Sequence, residues 1–215
     1  GYCARLDTRM ESVKVLGLVN ITVLAAGSIF TGSVHEPIKG TKNPQKMLQT
    51  GIPFTKKPVA LQFDYKVKMS DRENRIRATG FSKITDVPGK DYPAAILLLQ
   101  KRWEDANGNV YAKRIGTMVT YYYHSTDWKN NVTYEIMYGD ITNRPEYKAH
   151  MMRLQATESY TVNSKGESVP IHEVAWGDEN DVPTHMYIQF TSSHGGAYIG
   201  SPGNTLWVDN VKLVY

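Results

Sequence analysis

The chain has 215 residues, 41% of them hydrophobic and 21% charged, with a formal net charge of +4. That supplies one sizeable apolar core, and all-β domains of this length commonly form a single unit, so we expect one domain over residues 1–215. Basic and acidic residues are interspersed, which excludes the basic stripe that a nucleic-acid groove needs.

The first strand signal surrounds Cys3. A lone cysteine forms no internal disulfide, and a free thiol on an N-terminal strand is expected in the core. Residues 15–30 form the longest apolar stretch, but Gly17, Asn20, Gly27 and Ser28 interrupt it, so no membrane span and no signal peptide is predicted. Residues 44–49 allow one or two helical turns, ended by Gly51. Leu61, Phe63, Tyr65, Val67 and Met69 then alternate with polar residues, the period of a strand with one buried face. Residues 94–99 are apolar on both faces and predict a strand covered on both sides. That strand runs on through Trp103 to Asn107-Gly108, the strongest hairpin signal in the chain.

The return strand is expected from Val110 to His124 and carries Tyr121, Tyr122 and Tyr123. Trp128 opens another strand, with Val132, Tyr134, Ile136 and Tyr138 on one face. Residues 146–154 are either a short helix or a strand. Met186, Ile188 and Phe190 share one face of a later strand. A loop with four glycines follows over residues 192–204. The chain ends on a strand that alternates, slips and alternates again: Leu206 and Val208 point one way, then Val211 and Leu213 take the apolar role. One extra residue, a β-bulge at Asp209-Asn210, accounts for the slip. The reading is therefore all-β, with few short helices and the strand spacing of a sandwich.

No Gly-x-Ser-x-Gly, phosphate-loop, dinucleotide or zinc spacing occurs. A glycosidase requires two carboxylates roughly 5–9.5 Å apart. The candidates are Glu104, Asp105, Glu135, Asp140, Glu173 and Asp178, and no motif joins any two. Glu104 and Asp105 precede the Asn-Gly turn, where a turn role is expected. Asn20-Ile21-Thr22 and Asn131-Val132-Thr133 have the form of glycosylation sequons.

Six segments carry a resemblance: YCARLDTRMESVKVLG (2–17), FTGSV (30–34), GTKNPQKMLQTGIPFTKKPVALQFDYKV (40–67), YPAAILLLQKRWED (92–105), HSTDWKNNVTYEI (124–136) and FTSSHGGAYIGSPGNTLWVDNVKL (190–213). In order and spacing the chain resembles the putative carbohydrate metabolism domain of gut Bacteroidetes. The resemblance implies a jelly-roll β-sandwich like those of carbohydrate-binding modules. It also implies an exported protein at the cell surface or in the periplasm, often lipid-anchored, with neighbouring domains in a longer chain. Members usually begin with a further strand and loop rich in Trp and Gly before the segment matching Tyr2, so this chain is expected to lack the family's N-terminal strand.

Glycan binding needs an aromatic face for the C–H side of a sugar ring and planar polar groups for its hydroxyls. Fourteen tyrosines and four tryptophans supply aromatics that also suit half-buried strands. Trp103 is expected on the face of Leu97 and Leu99, where the strand runs out toward the turn. Tyr122 and His124 share one face of the return strand. These three form the first candidate site; the alternative is that they cover the core. Loop residues form the second: Trp176 with Asp178, and His194 with Tyr198, where glycines allow close approach to a ligand. The alternative there is a solvated acidic turn beside a glycine-rich crossover.

Related modules place a core Trp at the position of Trp128, so that ring is expected in the core. Related sandwiches also often hold a structural calcium near their first and last strands. That resemblance points to Asp209, with backbone carbonyls and Asp7 assisting, against the alternative that Asp209 bonds the bulge backbone. No cofactor is required. The leading reading is a non-catalytic glycan-binding module. The alternatives are a glycoside hydrolase or accessory subunit, and a structural or adhesive module with a flat apolar patch.

Overall fold

The computed structural model describes residues 1–15, 19–34, 43–148, 150, 151, 154 and 159–215. The chain begins with β1 (Ala4–Val15), β2 (Val19–Ala26), β3 (Ser28–Phe30) and β4 (Gly32–Val34). After one 3-10 turn, Pro44–Met47, come β5 (Leu48–Thr50), β6 (Ile52–Pro53), β7 (Ala60–Lys68), β8 (Arg75–Arg77) and β9 (Thr85–Val87). The central hairpin is β10 (Ala94–Glu104) and β11 (Val110–Tyr121), followed by β12 (Thr126–Glu135) and β13 (Met137–Tyr138). The last five are β14 (Tyr160–Val162), β15 (Ser168–Trp176), β16 (His185–Thr191), β17 (Ile199–Gly200) and β18 (Thr205–Val214). The architecture is all-β. Of residues 146–154, those described form turns and bends, and the rest lie outside the described residues.

Two large sheets face each other. One runs β12-β7-β18-β1-β2; the other follows β3-β16-β10-β11-β15-β14-β5-β4, with β6 and β13 added at its flanks. Strand parity explains the core between them. Leu61, Phe63 and Val67 of β7 and Leu206 and Val208 of β18 meet Ala95, Leu97 and Leu99 of β10 and Met186, Ile188 and Phe190 of β16. The Phe63 and Phe190 rings meet edge to face, 4.9 Å between centroids. A three-stranded sheet, β17-β8-β9, adds a small cluster of Leu24, Ile76 and Ala78.

The larger sheet is mixed, because β11 pairs parallel with β15 and β14 pairs parallel with β5. It also curls. Its terminal strands β3 and β4 are separated in sequence by Thr31 alone, so the two ends of the sheet are brought together. The N–H of Thr31 donates to Ile188 O at 2.9 Å, and the N–H of Gly51 donates to Thr31 O at 2.8 Å. The Thr31 hydroxyl accepts from the Ile188 N–H at 2.8 Å and donates to Met186 O at 3.3 Å. This seam makes the sheet nearly closed and barrel-like.

The interior of the curl is polar in its lower half. Arg114 and Glu173 form a buried ion pair, with Arg114 Nε donating to Glu173 Oε1 at 2.8 Å. Gln100 Nε2 donates to the same oxygen at 2.7 Å. Arg102 donates to Gln100 Oε1 and to Thr50 O, each at 2.8 Å. Burial pulls the Arg102 guanidinium down to about 10, against the upward pull of Glu173.

Three expectations about side-chain placement are corrected. Cys3 is exposed, because it precedes β1 rather than lying within it. Trp128 is 41% exposed, since β12 is an edge strand with two register shifts that turn its first half away from the core. In β18 the register slips by one residue between Asp209 and Lys212, with Asn210 in the left-handed region at φ 51°. The slip returns Leu213 to the core but leaves Val211 exposed within the bulge.

Candidate functional site

The inner face of the curl opens into a cavity of about 180 Å³. Its floor is the β10 and β16 face opposite the sandwich core, with Ala94, Ile96, Tyr187 and Gln189. One wall comes from β5 and β14, through Leu48, Thr50 and Tyr160; the other from Tyr121 and the loop Ser193–Gly196. Among the described residues the Tyr187 hydroxyl and the Gln189 carboxamide make no hydrogen bond to the protein, although both side chains line the cavity. Burial holds the Tyr187 hydroxyl well above the usual phenol range, so it is a neutral donor.

The loop wall is fixed by Asp91. Its buried carboxylate accepts from Ser193 Oγ at 2.9 Å, from the Ser201 N–H at 2.9 Å and from Asn204 Nδ2 at 3.2 Å. The Tyr92 N–H donates to His194 Nδ1 at 3.0 Å. The same nitrogen lies 3.2 Å from Asp91 Oδ1. His194 stacks on Tyr92 at 5.5 Å and contacts Tyr121 at 4.8 Å, and Tyr121 stacks on His150 at 4.6 Å. Four rings thus form a continuous row, of which Tyr121 and His194 line the cavity. Burial holds the His150 imidazole below its ordinary value, with the Lys148 charge acting in the same direction.

Of the sequence candidates, the cavity takes only His194. Tyr122 is a correction: its ring is buried in the core against Tyr65, 4.6 Å between centroids, so it offers no stacking face. The outward members of the tyrosine triplet are Tyr121 and Tyr123. His124 is exposed beyond the end of β11. Trp103 lies on the face of Leu97 and Leu99, past the edge of the core, and is 43% exposed. It stacks on Tyr111 at 5.8 Å, and Tyr111 contacts His172 at 5.6 Å, giving an aromatic row across β10, β11 and β15. This row and the cavity sit on opposite faces of one sheet.

The loop candidates are dispersed. Trp176 lies half-buried under the Arg114 guanidinium, 5.4 Å away. Asp178 closes its own turn, accepting from the Asn180 N–H at 2.8 Å. Tyr198 adopts φ 61° and its carbonyl accepts from the Ala78 N–H, on the side of the loop facing β8. Tyr187 and Gln189 were missed because their parity on β16 marks them only as opposite to Met186, Ile188 and Phe190. Nothing local announces that β5 and β14 fold over that face.

Asp209 accepts the Asn210 N–H at 2.8 Å and stands opposite Asp64. Asp7 pairs with Thr205, four residues away, about 13 Å along a strand. The two carboxylates expected to share a calcium are therefore not brought together. Among the described residues no group of three His, Cys, Asp or Glu side chains converges.

Five of the six carboxylates considered for hydrolysis have structural partners; the sixth, Glu135, is exposed at the end of β12 and has no side-chain partner among the described residues. Glu173 pairs with Arg114, Glu104 accepts from the Ser164 N–H and hydroxyl, and Asp140 accepts from the Thr142 N–H and hydroxyl. Asp105 accepts the N–H groups of Asn107 and Asn109 at 2.9 Å, holding the hairpin turn.

Two solved structures share the fold. One is a putative glycoside hydrolase from Bacteroides thetaiotaomicron VPI-5482, with TM-score 0.52, 17% identity and 97% of this chain covered. This chain spans only 57% of that one. The other is a putative glycoside hydrolase from Bacteroides vulgatus ATCC 8482, with TM-score 0.53 and 17% identity, covering 100% of this chain and 73% of that one. No curated protein matches the chain. The family described as the putative carbohydrate metabolism domain matches residues 1–214, and the chain belongs to that family.

Proposed function

We propose that the chain is a non-catalytic glycan-binding module and that it takes its ligand in the cavity of the curled sheet. One observation carries the reading: the Tyr187 hydroxyl and the Gln189 carboxamide, free of protein partners among the described residues, open into a cavity walled by aromatic rings. Half-buried polar groups of this kind require hydrogen-bond partners, and sugar hydroxyls supply them while the rings cover C–H surface. The His194 ring adds a polar edge to the lining.

The hydrolase reading has less support, because five of its six candidate carboxylates, Glu173, Glu104, Asp105, Asp140 and Asp178, already serve an ion pair or a turn, which leaves Glu135 alone where a pair is needed. A scaffold reading predicts a flat patch, whereas the curl holds a recessed cavity. The face-to-face packing of the five-stranded sheet on β16, β10 and β11 supports a jelly-roll sandwich, with β14, β15, β4 and β5 extending the larger sheet. We also infer that the module works outside the cytoplasm, at the cell surface or in the periplasm, beside other domains.

The test is a glycan array followed by calorimetry on Tyr187→Phe/Gln189→Leu and, separately, Trp103→Ala. The cavity variant should lose about tenfold or more in affinity, two hydrogen bonds' worth, and Trp103→Ala should keep wild-type binding. Loss confined to Trp103→Ala would move the site to the aromatic row.

A further inference from the structure

Resting on the glycan-binding reading, we propose that the cavity is a socket for the terminal residue of a neutral glycan, so that this module grips chain ends rather than chain interiors. Three observations lead there. The first is size. About 180 Å³ is well under the roughly 300–1,000 Å³ of pockets that enclose drug-sized ligands, and it suits a single ring.

The second is shape. An internal chain segment must enter a site and leave it again. Among the described residues the curl is filled beyond one end of the cavity. Leu98 and Thr117 are buried there, followed by the Arg114–Glu173–Gln100–Arg102 network. The seam at Thr31 closes a side. Among the described residues, a sugar ring resting on Ile96 and Tyr187 therefore has no way on through the bore or the seam.

The third is charge. The described lining offers aromatic rings, aliphatic side chains, hydroxyls and amides, with His194 as its only titratable nitrogen. A uronate, sialic acid or sulfate group would be stripped of water with no cation in contact, which is costly. Hydroxyl and acetamido groups match the Tyr187 and Gln189 partners instead.

Nuclear magnetic resonance titration of the wild-type chain tests this. The probes are free neutral hexoses, 6-deoxyhexoses, pentoses and N-acetylhexosamines, their uronic acid counterparts, and oligosaccharides of two to six residues bearing the responding sugar at one end. A free neutral monosaccharide should perturb signals of Tyr187, Gln189 and His194. Affinity should change by less than about threefold between the disaccharide and the hexasaccharide, since later residues lie outside the socket. The matching uronic acid should bind at least about tenfold more weakly. Tyr187→Phe, a substitution that removes one oxygen, should weaken the monosaccharide.

Affinity that climbs steadily with chain length, binding that begins only at four or more residues, or a uronic acid as tight as its neutral counterpart would overturn the socket while leaving glycan binding intact. Silence from every probe, with a folded spectrum, would overturn both.

Discussion

The side-chain amide of Asn210 donates to Asp64 Oδ2 at 2.6 Å, while the Asn131 N–H reaches Oδ1 of the same carboxylate at 2.5 Å. Both asparagines have positive φ, 51° and 53°, and each sits in an irregularity of a strand flanking β7. One carboxylate therefore pins two bulges, on β18 and on β12.

The Asn131 N–H first, and the Asn210 amide second, hold the Asp64 carboxyl below its usual range. A carboxyl depressed in the folded state stabilises the protein above its unfolded value, about 3.9, and loses that contribution as pH falls through the folded value. Asp64→Asn should lower the urea midpoint at pH 7. The gap between the two proteins should narrow as pH drops below about 4. A gap that stays constant with pH would show that the charge has no part in pinning the bulges.

Glu173 is the only acid in a network with two buried or nearly buried arginines. Glu173→Ala should cost about 3–5 kcal/mol, because it leaves the Arg114 charge uncompensated. Arg114→Met combined with Glu173→Leu should cost much less than the sum of the single changes. A double-mutant cycle in guanidinium reads the difference directly.

His185 stands beside Arg102, and burial first, then that cation, pulls its imidazole down to about 4. The unfolded ring titrates near 6.5. Folding therefore prefers the neutral ring, and stability present above about pH 6.5 should drain away as pH falls toward about 4. His185→Gln should flatten that segment of the stability profile. An unchanged slope would assign the acid sensitivity elsewhere.

Tyr122→Ala should cost about 3–5 kcal/mol by opening a cavity in the shared core. Trp103→Ala, at a 43% exposed position, should cost on the order of 1 kcal/mol through its cross-strand pairing with Tyr111. Thermal melts of the two variants separate core from surface. Equal losses would contradict the burial of Tyr122.

Much of this architecture was legible in single residues. Alternation over residues 61–69 and 186–190 marks the buried faces, Asn107-Gly108 marks the hairpin, and the slip after Asp209 marks the bulge. These signals are local, since a strand's parity is written in its own side chains. The misreadings have a common cause. The tyrosine triplet declares that Tyr122 opposes Tyr121, but which of them meets the core depends on a partner sheet far away in sequence. The parallel pairing of β15 on β11 and the seam at Thr31 depend equally on distant segments, so the cavity they enclose had no local signature. Trp128 failed for a related reason: its strand is at an edge, and edge strands twist away from the layer they start on.

The seam at Thr31 also bears on how this protein meets its neighbours. An open sheet of this width would expose two long rows of unpaired backbone amides and carbonyls, ready to recruit a strand from another molecule. Here the bordering strands β3 and β4 are three residues each and adjoin one another through one residue. At this seam the larger sheet therefore offers an incoming strand almost no template.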